Sequence, residues 1–124
     1  MKTKKTARLV ALLTGALGLI AMATLADAHA KLVGVVPEAD STVASPQLIQ
    51  AHFNEAVEAK LSRITLSTND GAAVAIMNMN DAKDRSTLSI MPMRPLKPGV
   101  YIVTWSAATA DGHKTEGTFK FTVK

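Results

Sequence analysis

The chain has 124 residues, no cysteine and a formal net charge of +4 at pH 7. The lack of cysteine excludes disulfide bonds, thiolate metal sites and thiol catalysis, and leaves histidine, methionine and carboxylate side chains as metal ligands. Most of the positive charge lies near the N-terminus, because residues 29–124 contain ten basic and nine acidic residues, a net charge of +1. No cluster of basic and aromatic residues remains there, which argues against a nucleic-acid partner.

The N-terminus has the three parts of a secretory signal peptide. Four basic residues lie within the first eight positions, an apolar stretch covers residues 9–25, and small residues stand at Ala26 and Ala28. This pattern predicts cleavage after Ala28 and export across a membrane. Cleavage after Ala26 is one alternative. An uncleaved membrane anchor is another, because an apolar stretch of about 17 residues reaches the lower limit for a membrane span.

The predicted mature chain, residues 29–124, is long enough for one compact domain and too short for two. Its apolar residues recur with a period of two, and Gly, Pro, Asn and Asp interrupt them about every eight to twelve residues. We therefore expect an all-β fold, a seven-stranded immunoglobulin-like Greek-key β-sandwich with cupredoxin-like barrel proportions and no membrane insertion. The predicted strands are 31–36, 48–54, 63–67, 73–77, 87–90, 99–107 and 117–123, with a long connection at 37–46.

Alternation within three of these strands predicts which side chains face the core. The same count places His52, Lys120 and Lys124 on outward faces. The expected inward residues are Ile49, Ala51, Phe53, Tyr101, Val103, Trp105, Phe119, Phe121 and Val123.

A candidate metal site begins with His29. If the mature chain starts there, its α-amine and imidazole can close a chelate ring on one ion, an arrangement that suits Cu(II). Asp111 and His113 lie in the loop between the last two predicted strands, and their spacing in an extended chain puts both side chains on one side, with Gly112 easing a bend. Asp-Gly is also an ordinary turn signal, so an exposed loop without metal is the alternative.

The position of cleavage changes this site. With a start at Asp27, His29 would be the third residue. The amine, two deprotonated amides and the imidazole could then hold Cu(II) in a plane without His113.

Five motifs in order resemble the CopC family of periplasmic copper-resistance proteins, including its YobA-like members. The resemblance implies a periplasmic Cu(II) carrier or sequestering protein in copper resistance or homeostasis, not an enzyme, with an inner-membrane copper permease of the CopD type as partner. The motifs are His29-Ala30-Lys31-Leu32 followed by Pro37; His52-Phe53-Asn54-Glu55; residues 96–101 leading to Val103-Thr104-Trp105; residues 110–115; and Gly117 with residues 119–123.

The resemblance also implies the ligands. They are the amine and imidazole of His29, the carboxylate of Asp111 and the imidazole of His113. Glu55 matches an acidic position near the family's site and is expected to bind weakly or to hydrogen-bond a ligand; a solvated residue at a strand end is the alternative. We expect His52 to be a surface histidine.

Four methionines form two Met-x-Met pairs, each spaced to project from one face of a strand: Met77 and Met79, and Met91 and Met93. Thioethers select Cu(I), and some members of the family that the chain resembles carry a methionine-rich loop. That loop corresponds to a region nearer residues 69–73, and most of its positions have no match here. A Cu(I) site and adaptable packing in the core or at its rim both remain open.

Two other function classes fit parts of the pattern. An N-terminal histidine with a second histidine also describes the copper centre of oxidative polysaccharide-cleaving monooxygenases, which need open coordination positions, one of which Asp111 would occupy. In a metal-free immunoglobulin-like interaction module, Asp111 and His113 would only form a turn.

Overall fold

Two β-sheets pack face to face in residues 29–124, the part of the chain that the computed structural model describes. The predicted signal peptide, its cleavage site and the anchor alternative fall on residues 1–28, outside the described residues. In chain order the strands are β1 (Leu32–Val36), β2 (Thr42–Val43), β3 (Ile49–Phe53), β4 (Arg63–Thr68), β5 (Ala73–Val74), β6 (Ile76–Asn78), β7 (Thr87–Pro92), β8 (Gly99–Ala108) and β9 (Lys114–Val123), with a 3₁₀ turn at Ala59–Leu61.

The four-stranded sheet has the order β1-β3-β7-β6, and the five-stranded sheet has the order β2-β9-β8-β4-β5. Neighbouring strands are antiparallel except β2 and β9, which are parallel. The all-β sandwich predicted from the alternation is therefore confirmed.

The strand count differs from the prediction, with nine strands in the described residues instead of seven. β2 lies inside the expected connection 37–46, and the expected strand 73–77 is divided at Ala75, so that β5 joins one sheet and β6 the other. Two-residue strands contain too little alternation to be recognised in a sequence. β9 also begins at Lys114, three residues earlier than expected.

All nine residues predicted to face inward are buried, so this prediction is confirmed. Ile49 of the four-stranded sheet and Val103 and Phe121 of the five-stranded sheet are fully buried. Burial of a side chain of this kind contributes about 1.5–3 kcal/mol to folding. Apolar contact between the two sheets therefore replaces the disulfides that many small exported domains use.

Packing around Trp105 fixes the alignment of β8 and β9. Its ring contacts Phe53 of the opposite sheet edge-to-face, with ring centroids 5.1 Å apart. Gly117 is its cross-strand partner, and a Cβ atom at 117 would lie 2.6 Å from the indole ring. The glycine therefore lets the indole lie against the strand backbone, and the pairing defines where the loop 109–113 emerges.

The three residues predicted to face outward lie as expected with respect to the core. Lys120 and Lys124 are exposed. His52 is half-buried on the outward face of the four-stranded sheet, where its Nδ1 lies 2.9 Å from the hydroxyl oxygen of Thr87.

Candidate metal site

A tight turn at residues 109–113 joins β8 to β9. The backbone N–H of Thr109 donates to the carbonyl of His113 at 3.0 Å, and that of Gly112 donates to the carbonyl of Thr109 at 2.9 Å. Gly112 has φ +86°, a left-handed conformation that favours glycine. The extended geometry expected for Asp111 and His113 was wrong, because the chain reverses direction between the two strands here.

The turn nevertheless brings the two side chains together. Oδ2 of Asp111 lies 2.7 Å from Nδ1 of His113, and Oδ1 accepts hydrogen bonds from the Thr109 hydroxyl and from the His113 backbone N–H. The hydrogen bond from Thr109, followed by those from His113, holds the pKa of Asp111 well below its usual range. The carboxylate is therefore ionised at neutral pH and adds negative charge at an exposed position.

The contact with Asp111 also selects a nitrogen on His113. With Nδ1 facing the carboxylate, Nε2 lies on the far side of the ring and is the atom available to an ion. A carboxylate bound to one ring nitrogen while the other binds metal is a common arrangement in metalloproteins. Asp111 could itself become a ligand through the lone pair of Oδ2 that these contacts leave open.

His29 lies directly beside this turn. Its ring centroid is 4.8 Å from that of His113, and the two rings are nearly perpendicular, at 82°. Residues at opposite ends of the described chain therefore meet at one end of the sandwich. The structure therefore brings the predicted ligand His29 against His113, which in turn contacts Asp111.

Two hydrogen-bonded ties hold the segment after His29. The hydroxyl of Thr115 in β9 donates to the carbonyl of Ala30 at 2.8 Å, and Ala30 is buried. The side chain of Asn54 accepts from the N–H of Lys31 at 2.7 Å, and the Asn54 N–H donates to the Lys31 carbonyl at 2.9 Å. The first tie comes from β9, and the second comes from the residue that follows β3.

Glu55 directly follows Asn54, which bonds Lys31, so Glu55 lies at the same end of the sandwich as the N-terminal segment. Its side chain is half-buried. Its role as a weak ligand or hydrogen-bond partner stays a prediction. Within residues 29–124, no group of three or more His, Cys, Asp or Glu residues is arranged to hold a metal ion. A site here therefore needs the amine of His29 or a rearrangement of Asp111.

The supporting residues were missed in the sequence. Thr109 stands two residues before Asp111, a spacing at which a hydroxyl and a carboxylate in a turn can bond, and this signal could have been used. The ties from Thr115 and Asn54 join distant parts of the chain and have no local signal.

The four methionines share one face. Met77 and Met91 are cross-strand partners, and the backbone N–H groups of Met79 and Met93 extend the β6–β7 ladder on either side, with hydrogen bonds of 2.8 and 3.1 Å. Strand alternation then puts all four side chains on the outward face of the four-stranded sheet. Met77, Met79 and Met93 are 45%, 42% and 58% exposed, so these three are not core residues.

Comparison with known proteins identifies the family. The CopC domain matches residues 32–124. The chain belongs to the CopC family. This CopC-family chain is 36% identical to "Copper resistance protein C" of Escherichia coli over 121 residues, 92% of this chain and 95% of that protein. It is 38% identical to "Protein YobA" of Escherichia coli strain K12 over 100 residues, 78% of this chain and 80% of that one.

A solved structure supports the same relationship. The crystal structure of PcoC, described as a methionine-rich copper resistance protein from Escherichia coli, matches this CopC-family chain with a TM-score of 0.70 and 37% sequence identity. The match covers 78% of this chain and 100% of that one. The resemblance drawn from the five sequence motifs is therefore confirmed. Within residues 29–124, no helix is long and apolar enough to cross a membrane.

Proposed function

We propose that this protein binds copper in the periplasm and acts as a carrier or sequestering protein in copper resistance or homeostasis. The observation that carries the proposal is the contact between His29 and His113, whose ring centroids are 4.8 Å apart beside the ionised carboxylate of Asp111. Relatives over most of the chain are named for copper resistance. Export rests on the predicted signal peptide, and the periplasm as its destination rests on the resemblance to the CopC family.

The proposed ion is Cu(II), and its proposed ligands are the amine and imidazole of His29, Nε2 of His113 and, after rotation, a carboxylate oxygen of Asp111. Nitrogen and oxygen donors of this kind favour Cu(II), which binds most tightly among the divalent first-row metals. Glu55 is proposed as a weak ligand or hydrogen-bond partner from the adjacent strand end. An inner-membrane permease of the CopD type is the proposed recipient or source of the copper.

A carrier role is favoured over catalysis by the position of Asp111. Oxygen chemistry at copper needs open coordination positions, whereas this ionised carboxylate touches His113 and is available to fill one. With copper bound, we expect no peroxide-driven cleavage of polysaccharides.

The proposal is tested on the exported protein. Intact mass gives the first residue, and titration with Cu(II) followed by electron paramagnetic resonance gives the stoichiometry and the donor atoms. We expect a start at His29, one tightly bound Cu(II) per chain and a spectrum of mixed nitrogen and oxygen ligation. A start at Asp27 with an all-nitrogen plane would replace this site, and a lack of Cu(II) uptake would favour a metal-free interaction module.

We also propose that the methionine face, made of Met77, Met79, Met91 and Met93, binds Cu(I). Directly opposed residues of an antiparallel pair have Cβ atoms about 4.5–5.5 Å apart, and diagonal neighbours lie within reach of long side chains. The register of β6 and β7 therefore gathers soft, exposed thioethers, which prefer Cu(I). The PcoC protein from Escherichia coli is itself described as methionine-rich.

Replacement of Met77 and Met91 together by leucine should abolish Cu(I) binding at this face while leaving Cu(II) binding unchanged. Leucine keeps the volume and apolar character of methionine, so the fold should be affected little. Competition with a colorimetric Cu(I) chelator under anaerobic conditions measures the change. His113→Ala is the matched control, since it should weaken Cu(II) binding only. Unchanged Cu(I) affinity in the double variant would leave the methionines as surface packing.

A further inference from the structure

We propose that Thr115 is a positioning residue for the copper site, holding His29 at the correct distance from His113. Its hydroxyl donates to the carbonyl of Ala30 at 2.8 Å and is partly buried. This inference rests on the proposed function, because it assigns a role toward the copper that His29 and His113 are proposed to bind.

The position of Thr115 suits it for this task. Thr115 lies on β9, two residues after His113, and β9 begins directly after this proposed ligand, so one end of the hydrogen bond is fixed close to it. The other end is the carbonyl of Ala30, the residue that follows His29. A single bond therefore links the two halves of the proposed site through very little intervening chain.

The second tie cannot replace the first. Asn54 binds Lys31, one residue farther from His29, and directly follows β3 of the four-stranded sheet. This tie docks the start of β1 on β3. The Thr115 bond acts one residue nearer to His29 and comes from β9, which begins directly after His113.

Loss of the Thr115 hydroxyl should therefore loosen the terminal residue in the metal-free protein without undocking β1. Copper binding would then have to order His29, and the cost of ordering a flexible ligand appears as weaker affinity. The affinity for Cu(II) should fall about fivefold, the change that corresponds to one net hydrogen bond.

The experiment compares Thr115→Val with Thr115→Ser in protein that starts at His29. Valine keeps the shape and strand preference of threonine but removes the hydroxyl, whereas serine retains the hydroxyl. We expect Thr115→Val to lose about fivefold in Cu(II) affinity and Thr115→Ser to bind within about twofold of the native protein. Thr118→Val, at an exposed position on the same strand, is the matched control and should bind normally.

A second arm separates positioning from general stability. In protein with an extra residue before position 29 and with His29→Ala, neither proposed donor of His29 is present, so Thr115→Val should cause little further loss. The spectrum of the copper-loaded Thr115→Val protein should also show a mixture of ligand sets. Thermal unfolding of each variant establishes that it is folded.

Three results would overturn the inference: full Cu(II) affinity in folded Thr115→Val, an equal loss in the serine variant, or the same loss when both proposed donors of His29 are removed. If the native protein binds Cu(II) and Thr115→Val binds equally well, only the positioning role fails. If the native protein binds no Cu(II), the proposed function fails and the positioning role with it.

Discussion

One extra residue in front of His29 is expected to lower the affinity for Cu(II) at least about 100-fold. Loss of partners that only support a metal ligand typically costs 10- to 100-fold, and this change removes a proposed ligand and its chelate ring. The extra residue converts the amine of His29 into an amide. The new amine then lies one residue farther along the chain from the proposed site. Competition titration against a Cu(II) chelator of known affinity measures the loss.

The comparison needs two proteins that differ only at this end. Both are released from a cleavable fusion, one starting at His29 and the other at an added alanine. Their metal-free forms should unfold at the same temperature, since Ala30 and Lys31 keep their ties to Thr115 and Asn54. Equal Cu(II) affinities in the two proteins would show that the amine is not a ligand.

Replacement of His113 by alanine is expected to lower the affinity for Cu(II) by a similar amount, at least about 100-fold. The change removes the proposed Nε2 ligand and the ring that contacts Oδ2 of Asp111, while Oδ1 keeps its hydrogen bonds from Thr109 and from the backbone N–H of residue 113. The spectrum of any residual Cu(II) should lose one nitrogen donor. Isothermal titration and electron paramagnetic resonance at one equivalent of copper measure both effects.

His52→Ala provides the matched control for this variant. His52 is also a partly accessible histidine, but it lies on the outward face of the four-stranded sheet and contacts Thr87. Its replacement should leave Cu(II) affinity within about twofold of the native value. A loss as large as that of His113→Ala would show that the copper site includes β3 and would require a different ligand set.

Several features of the fold and site could be predicted because they depend on local pattern. Alternation in the strands that contain Ile49, Val103 and Phe121 identified the core, since successive side chains of a strand face opposite sides of the sheet. The candidate ligands His29, Asp111 and His113 were found from residue type and from the resemblance to the CopC family. The structure places them together, and their role as ligands stays a prediction.

Other features depend on contacts that no local pattern reveals. The change of sheet at Ala75 is determined by which neighbour each half of the segment pairs with, and two- and three-residue strands have almost no periodicity of their own. The turn at Asp111 has a left-handed Gly112, which the sequence permitted but did not require. The bond between Thr115 and Ala30 joins residues 85 positions apart, so it follows from the tertiary fold alone.

At the proposed copper site, that sequence separation would couple metal occupancy to folding. The turn at residues 109–113 belongs to one hairpin and can form early, whereas His29 reaches it only after the two sheets have closed on each other. Copper held by both parts is therefore a ligand of the native state and not of the unfolded chain. By mass action, once free copper exceeds the dissociation constant, each further tenfold increase in its concentration would add about 1.4 kcal/mol to the free energy of unfolding. The cargo of the carrier would thus protect it from unfolding and proteolysis while it is loaded.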